Sequence, residues 1–131
     1  MFNHVMLGSN DIERARTFYD AVLGVLGCGE PIRNVAGTGH VRYFYRHAGS
    51  TFCLTEPIDG APATVANGAT LGFKCDSAEQ LLAFHDVAVA HGGQSIEGAP
   101  GLRPDSGVHL AYVRDPDGHK LCALYREKAP K

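Results

Sequence analysis

Residues 2–24, FNHVMLGSNDIERARTFYDAVLG, join a short β-type run directly to an amphipathic helix, and this junction decides the fold. Apolar residues recur with the period of a helix over about Asp11–Leu23. Asn10 can cap the start of this helix, and Gly24 follows its end. The stretch therefore predicts a β-strand over Phe2–Leu7 that leads straight into one helix.

The second half of the chain repeats this order. Residues 69–93, ATLGFKCDSAEQLLAFHDVAVAHGG, predict a strand over Ala69–Cys75 and a helix over about Ala78–Ala90. Ser77 and Gln80 have the spacing of a capping box at the start of that helix. Two strand–helix junctions in one short chain indicate an internal repeat.

Each helix is followed by two or three further β-type runs. They include Val41–Arg46 and Thr51–Thr55 in the first half, and Val108–Arg114 and Lys120–Tyr125 in the second. A turn that contains glycine joins the two runs of each pair. Pro57–Asn67, rich in Ala, Pro and Gly, is predicted to link the halves.

The halves superpose as a duplicated unit, with half-repeats at about residues 1–57 and 68–128 of a single domain over 1–131. The correspondence pairs His4 with Thr70, Phe18 with Phe84, His40 with His109, Tyr43 with Tyr112, and Cys53 with Cys122. One βαβββ unit alone is too small to bury both its helix and its sheet. We therefore predict an α+β fold in which two βαβββ half-repeats form curved mixed sheets around a central cavity, with the helices outside.

The composition is that of an ordinary globular protein, with 44% hydrophobic and 20% charged residues. A net charge of -2 with scattered Lys and Arg predicts no binding to nucleic acid. No apolar run is long enough to cross a membrane, and the first residues do not resemble a signal peptide, so a cytoplasmic location is expected. The four cysteines form no C-x-x-C pair and are expected to be free thiols.

Several segments resemble the glyoxalase/bleomycin-resistance/extradiol-dioxygenase superfamily, also called the vicinal oxygen chelate superfamily. They are His4–Leu7, Phe18–Gly24, Gly98–Pro104 and Asp115–Gly118, and the resemblance extends over essentially the whole chain. It implies the duplicated fold and a homodimer. It does not specify one reaction, because this superfamily includes isomerases, dioxygenases, epimerases, thiol transferases and drug-binding proteins.

The resemblance also implies where a metal would bind. Metalloenzymes of this superfamily place His or Gln on the first strand and Glu or His on the last strand of each half. His4 matches this pattern, whereas Thr70 stands where His is common, and Cys53 and Cys122 stand where Glu is usual. We therefore expect no usual divalent metal and no cofactor. The alternative is a zinc site made by His4, Cys53 and Cys122, which would serve a metal-dependent lyase, isomerase or dioxygenase.

A pocket without metal would be lined by strand aromatics and thiols. The candidate ligand-binding residues are Phe44, Cys53, Thr70, Tyr112, Arg103 and Cys122. Arg103, in the Gly- and Pro-rich loop predicted after the second helix around Gly98–Pro104, would reach a carboxylate or phosphate at the mouth of the cavity. If Arg46 pairs with Thr51 across the first turn, Phe44 and Arg42 share a face with Cys53, and His40 joins them.

Two functions follow from these expectations. The chain either binds a small organic molecule in a pocket between its half-repeats, or it is an enzyme of the lyase or isomerase type. The candidate catalytic residues for the second function are His4, His40 and His109. No Ser-His-Asp or Cys-His arrangement is visible in the sequence.

Overall fold

The computed structural model describes residues 1–128. The first half contains β1 (Val5–Gly8), α1 (Ile12–Val25), β2 (Ile32–Val35), β3 (Val41–His47) and β4 (Ser50–Thr55). The second half contains β5 (Leu71–Lys74), α2 (Ala78–Ala90), β6 (Gln94–Leu102), β7 (Val108–Arg114) and β8 (Lys120–Arg126). Neither helix is long and apolar enough to cross a membrane.

The strands form two four-stranded mixed sheets that share one topology. Their orders are β1-β4-β3-β2 and β5-β8-β7-β6. In each sheet the first strand runs parallel to the last, and the remaining pairs are antiparallel. The predicted α+β fold with two βαβββ half-repeats is therefore confirmed, and no closed barrel forms among residues 1–128.

Side-chain caps start both helices. The second helix begins as predicted, because Ser77 Oγ accepts the Gln80 N–H (3.0 Å) and the Gln80 side chain accepts the Asp76 N–H (2.7 Å). The predicted cap of the first helix is wrong by one residue. Asp11 is the cap, whereas the Asn10 side chain binds the linker at the backbone of Ala63.

One hydrophobic core joins the two halves. Aromatic rings form a continuous chain across it, from Phe18 and Tyr19 on α1 through Phe52 and Phe73 on the sheets to Phe84 on α2. The two helices also contact each other, and the buried faces of both sheets belong to the same cluster. The sheets therefore meet through the faces that carry the helices.

Each helix packs on one face of its sheet and keeps its other side exposed, as predicted. In a single chain the opposite face of each sheet is left without a cover from the described part of the chain. The two helix–sheet layers join at the rings of Phe52 and Phe73, whose centroids lie 5.9 Å apart.

The turn between β7 and β8 carries a buried carboxylate. Asp115 is 5% exposed, and one of its oxygens accepts a hydrogen bond from the Tyr19 hydroxyl (2.6 Å). Its other oxygen accepts the N–H groups of Asp117 and His119, each at 2.9 Å. Burial raises the pKa of the Asp115 carboxyl, and these bonds offset part of that rise.

The same turn holds the start of the first helix. Asp117 accepts hydrogen bonds from Ser9 Oγ (2.7 Å) and from Asn10 N–H (2.8 Å). The His119 ring lies 2.7 Å from the carbonyl oxygen of Gly8 through Nε2. The second half-repeat is thus fixed to the segment between β1 and α1 by polar bonds as well as by the core.

The two hairpins differ in turn length, and this sets which side chains correspond. Arg46 pairs with Thr51 in the first, as the sequence analysis considered, whereas Arg114 pairs with Lys120 in the second. The second turn is therefore one residue longer. The sequence alignment missed this insertion, so its pairing of strand residues before the turn is shifted.

The shift changes two predicted correspondences. Phe44 pairs with Cys53, and Tyr112 pairs with Cys122, so Tyr112 corresponds to Phe44 rather than to Tyr43. His40 and His109 are likewise not equivalent. Tyr43 instead points toward α1, where its hydroxyl donates to a carboxylate of the helix.

We expect Asp115→Ala to destabilise the fold by about 3 kcal/mol, because the Tyr19 hydroxyl and two backbone N–H groups would lose their acceptor in a buried site. Urea unfolding at one fixed protein concentration would measure the change. Asp86→Ala, which removes an exposed carboxylate on α2, is the matched control and should change stability by less than about 0.5 kcal/mol. Equal stability of the two variants would contradict this role.

Candidate functional site

The face of the first sheet that points away from the helices is one half of the candidate site. We call it the first open face. The strand register places on it Met6, Gly8, Ile32, Asn34, Arg42, Phe44, Arg46, Thr51, Cys53 and Thr55. Cys53 lies at the centre of this face and is fully buried, with Phe44 half-buried beside it.

The corresponding face of the second sheet is the other half. This second open face carries Gly72, Lys74, Ile96, Leu110, Tyr112, Arg114, Lys120, Cys122, Leu124 and Arg126. Cys122 is buried next to the half-buried Tyr112, and so repeats the thiol and aromatic pair of the first open face. The predicted equivalence of Cys53 and Cys122 is thus present in the register.

The two thiols do not face each other within one chain. Burial raises the pKa of Cys53, and the charges that oppose the rise come from Arg46 and Arg42 of the same sheet. Burial also raises the pKa of Cys122, against a Tyr112 hydrogen bond and the charge of Lys120 on its own sheet. Both thiols are therefore protonated at neutral pH in the chain without metal, which makes them weak nucleophiles.

Two arginines flank the aromatic ring of the first open face. The guanidinium carbons of Arg42 and Arg46 lie 5.6 Å and 5.9 Å from the centroid of the Phe44 ring. Arg42 also donates from Nε (3.1 Å) and Nη2 (2.6 Å) to Asn34 Oδ1. Sequence analysis placed Arg42 on this face but gave neither arginine a role.

On the second open face a lysine covers the aromatic ring. The Lys120 ammonium lies 4.8 Å from the Tyr112 ring centroid and forms an ion pair with Glu97. Glu97 belongs to an irregular part of β6, between Ile96 and Gly101, and has a φ of 57°. Sequence analysis missed Glu97, although the neighbouring Gly98 was a signal for a bulge.

Arg103 follows directly after β6 and belongs to the second open face. Its Nη1 donates to the carbonyl oxygen of Ala99 (2.9 Å), and its charge acts on Cys122. The structure thus brings together Arg103, Tyr112 and Cys122, three of the predicted ligand-binding residues. The loop predicted around Gly98–Pro104 is in large part strand, because β6 continues past its bulge to Leu102.

His4 and Thr70 lie elsewhere in the chain, on a groove between the half-repeats. The groove has a volume of about 960 Å³, and Phe52 and Phe73 also line it. Two of the four positions at which the resemblance implies metal ligands, His4 and Thr70, therefore line this groove. The other two, Cys53 and Cys122, do not line it.

The structure separates the two other candidate catalytic histidines, because His109 lies on the helix side of β7 and His40 lies at the end of the first sheet, just before β3. His40 precedes β3, and its Nδ1 lies 2.6 Å from Thr38 Oγ1. His109 Nε2 lies 2.9 Å from Glu127 Oε1. The Ala36 N–H donates to the His40 carbonyl and continues the register of the β2–β3 hairpin, in which Val35 pairs with Val41.

One chain does not fit the metal site that its fold suggests. A threonine hydroxyl is a poor ligand for iron, nickel or manganese, and the two thiols are neutral and on separate faces. Within residues 1–128 no group of three or more His, Cys, Asp or Glu side chains is placed to hold a metal ion. The set of His4, Cys53 and Cys122 is therefore not assembled within a single chain.

Solved structures with the same fold cover almost the whole chain. A glyoxalase/bleomycin resistance protein from Albidiferax ferrireducens T118 is 51% identical, with a TM-score of 0.88 over 97% of this chain and 99% of its own. A glyoxalase-related enzyme from Fulvimarina pelagi is 22% identical, with a TM-score of 0.72 over 96% and 88%.

More distant likeness shows the fold alone. The fosfomycin resistance protein FosX from Listeria monocytogenes is 15% identical, with a TM-score of 0.69 over 100% of this chain and 94% of its own. No curated protein matches the chain significantly. The family model of the Glyoxalase/Bleomycin resistance protein/Dioxygenase superfamily matches residues 1–123, and the chain therefore belongs to this superfamily.

Proposed function

We propose that this protein binds a small organic molecule, without a divalent metal, in a pocket that lies between half-repeats of two paired copies. The observation that carries the proposal is the repeated pair of a buried thiol and a half-buried ring. Cys53 with Phe44 and Cys122 with Tyr112 occupy equivalent places on the two open faces. Concave sites lined by apolar and aromatic groups are typical of small-molecule binding.

Pairing of two copies would cover both open faces. If the first open face of one copy packs against the second open face of its partner, a two-fold axis repeats the same contact on the other side. One symmetric dimer would then leave neither face exposed. Met6 and Ile32 support this arrangement, because they are 37% and 56% exposed on the first open face.

The chemistry of the open faces favours binding over a covalent reaction. The Cys53 and Cys122 thiols are buried, and a raised pKa keeps them neutral. No described histidine makes a hydrogen bond to either thiol, so neither thiol has an adjacent base. Aromatic rings, cations and neutral thiols suit recognition of a ligand in the cytoplasm, where thiols stay reduced.

A metal-dependent lyase, isomerase or dioxygenase is the second candidate function. His4 directly precedes β1 and lines the groove between the half-repeats, so this function would require its side chain to turn from the groove to the first open face. In the proposed dimer, His4 and Cys53 of one copy would face the partner's Cys122. These three donors would make a zinc site shared between copies, which leaves a position open to water.

Metal analysis of the purified protein separates the two functions. We expect zinc, nickel and iron each at well below about 0.1 ion per chain after purification without chelator, because a threonine hydroxyl is a poor ligand and no carboxylate stands at the expected ligand positions. About one zinc per chain, lost in Cys53→Ser and retained in Cys28→Ser, would contradict the proposal and support the second function. Cys28 is the matched control, since it is a free thiol outside both open faces.

We expect static light scattering to give twice the 14.0 kDa mass of one chain. Ile32→Lys should shift the protein toward the monomer, because it places a charge in the proposed interface. Leu82→Lys is the control, since Leu82 is 43% exposed on α2 and outside both open faces. A monomeric wild-type protein, or an equal effect of the two substitutions, would count against the pairing.

A further inference from the structure

We infer that the ligand carries an anionic group, a carboxylate, phosphonate or phosphate, and that Arg42 and Arg46 of the first open face bind it. This inference rests on the proposed function and adds the chemical class of the ligand. Nothing in the family assignment specifies it. The two arginines share one aromatic ring, lack a carboxylate partner among the described residues, and lie among apolar side chains.

The Phe44 ring holds both guanidinium groups over the same part of the sheet. Arg42 and Arg46 approach it from neighbouring positions of β3, at 5.6 Å and 5.9 Å from the ring centroid. Asn34 Oδ1 fixes Arg42 through two N–H groups and leaves its remaining donors unused. Two planar cations oriented by one ring are suited to the oxygens of a carboxylate or phosphonate.

Neither arginine has an acidic partner in the described part of the chain. The arginines of α1, by contrast, form ion pairs, Arg14 with Asp117 and Arg16 with Asp20. No strand residue of the first open face is Asp or Glu. Glu56, just past β4, accepts the Val41 N–H at 2.7 Å and forms no ion pair with either arginine.

The surroundings of the arginines increase the need for a counter-charge. Met6 and Ile32 place apolar side chains in the row of Phe44, and Cys53 beside them is buried. In the proposed dimer this face loses water, and an uncompensated cation in such a place is costly. On the second open face the cation over the aromatic ring, Lys120, has Glu97 as its counter-charge, whereas Arg42 and Arg46 have none among the described residues.

The positive charge at Arg42 and Arg46 is confined to this site, because the whole protein has a formal net charge of -2. A general attraction for polyanions is therefore not expected. The two arginines instead form a small cationic site beside an aromatic ring, which matches a small molecule with one anionic group and an apolar part.

Isothermal titration with three probes tests the inference. Benzoate and phenylphosphonate supply the two anionic groups on one ring, and benzamide is the neutral isostere of benzoate. We expect the wild-type protein to bind at least one of the two anions, and to bind benzamide at least about tenfold more weakly, because its amide cannot form charge-assisted bonds. Added salt should weaken binding of the anions only.

Three arginine variants and Phe44→Ala, which removes the aromatic ring, complete the design. Arg46→Gln and the double substitution Arg42→Gln with Arg46→Gln should weaken anion binding, the double by at least about tenfold, because the charge-assisted bonds are lost. Arg46 is exposed and its side chain makes no hydrogen bond within the described residues, so the single variant should keep the fold. Arg33→Gln is the matched control, because Arg33 lies on the same sheet but pairs with Tyr43 on the opposite face.

The outcomes distinguish the inference from the function on which it rests. If benzamide and benzoate bind with equal affinity, and Phe44→Ala abolishes the binding of both, the inference of an anionic ligand is wrong. The proposed pocket would then still be supported. Equal weakening by Arg33→Gln and Arg46→Gln would also overturn the inference. If none of the three probes binds the wild-type protein or Phe44→Ala at millimolar concentration, both the inference and the proposed pocket are overturned.

Discussion

Packing of two helix–sheet layers into a single core is the constraint on which the rest of this molecule depends. Each helix covers one face of its sheet, and the layers join through Phe52 and Phe73, whose ring centroids lie 5.9 Å apart. The buried bond between Tyr19 and Asp115 fixes the same arrangement with polar contacts. Because one face of each sheet is used for the core, the other face points outward. Both halves of the candidate site lie on these outward faces, and a second copy of the chain is the simplest way to enclose them.

The side chains at the candidate site differ from the metal ligands that the fold family leads us to expect. Cysteines stand at the centres of both open faces, where related metalloenzymes would need carboxylates, and burial keeps the thiols neutral. The charges near them are cations, and these are held over aromatic rings. We propose that this surface recognises a ligand by stacking and charge. The central residues of a half-repeat can change in this way while the hydrophobic core stays as it is.

Much of the fold followed from local patterns, whereas the site depended on features that patterns do not specify. Helical periodicity and the cap at Ser77 gave the second helix its observed bounds. The equivalence of Cys53 and Cys122 also followed from the repeat. The single extra residue in the second turn shifted the register before it, and one residue moves a side chain to the other face of a strand. The bulge that brings Glu97 to Lys120 depends on backbone geometry. The packing of the helices against each other is tertiary information that neither half contains alone.

An NMR experiment on mixed dimers tests the central claim most directly. Isotope-filtered NOE spectra would be recorded on an equal mixture of ¹³C-labelled and unlabelled protein, so that only contacts between copies appear. The account predicts NOEs from the methyl groups of Met6 or Ile32 in one copy to Leu110 or Leu124 of the other. If those contacts occurred only within one chain, or if the two copies touched through α1 and α2, the open faces would not be the shared site.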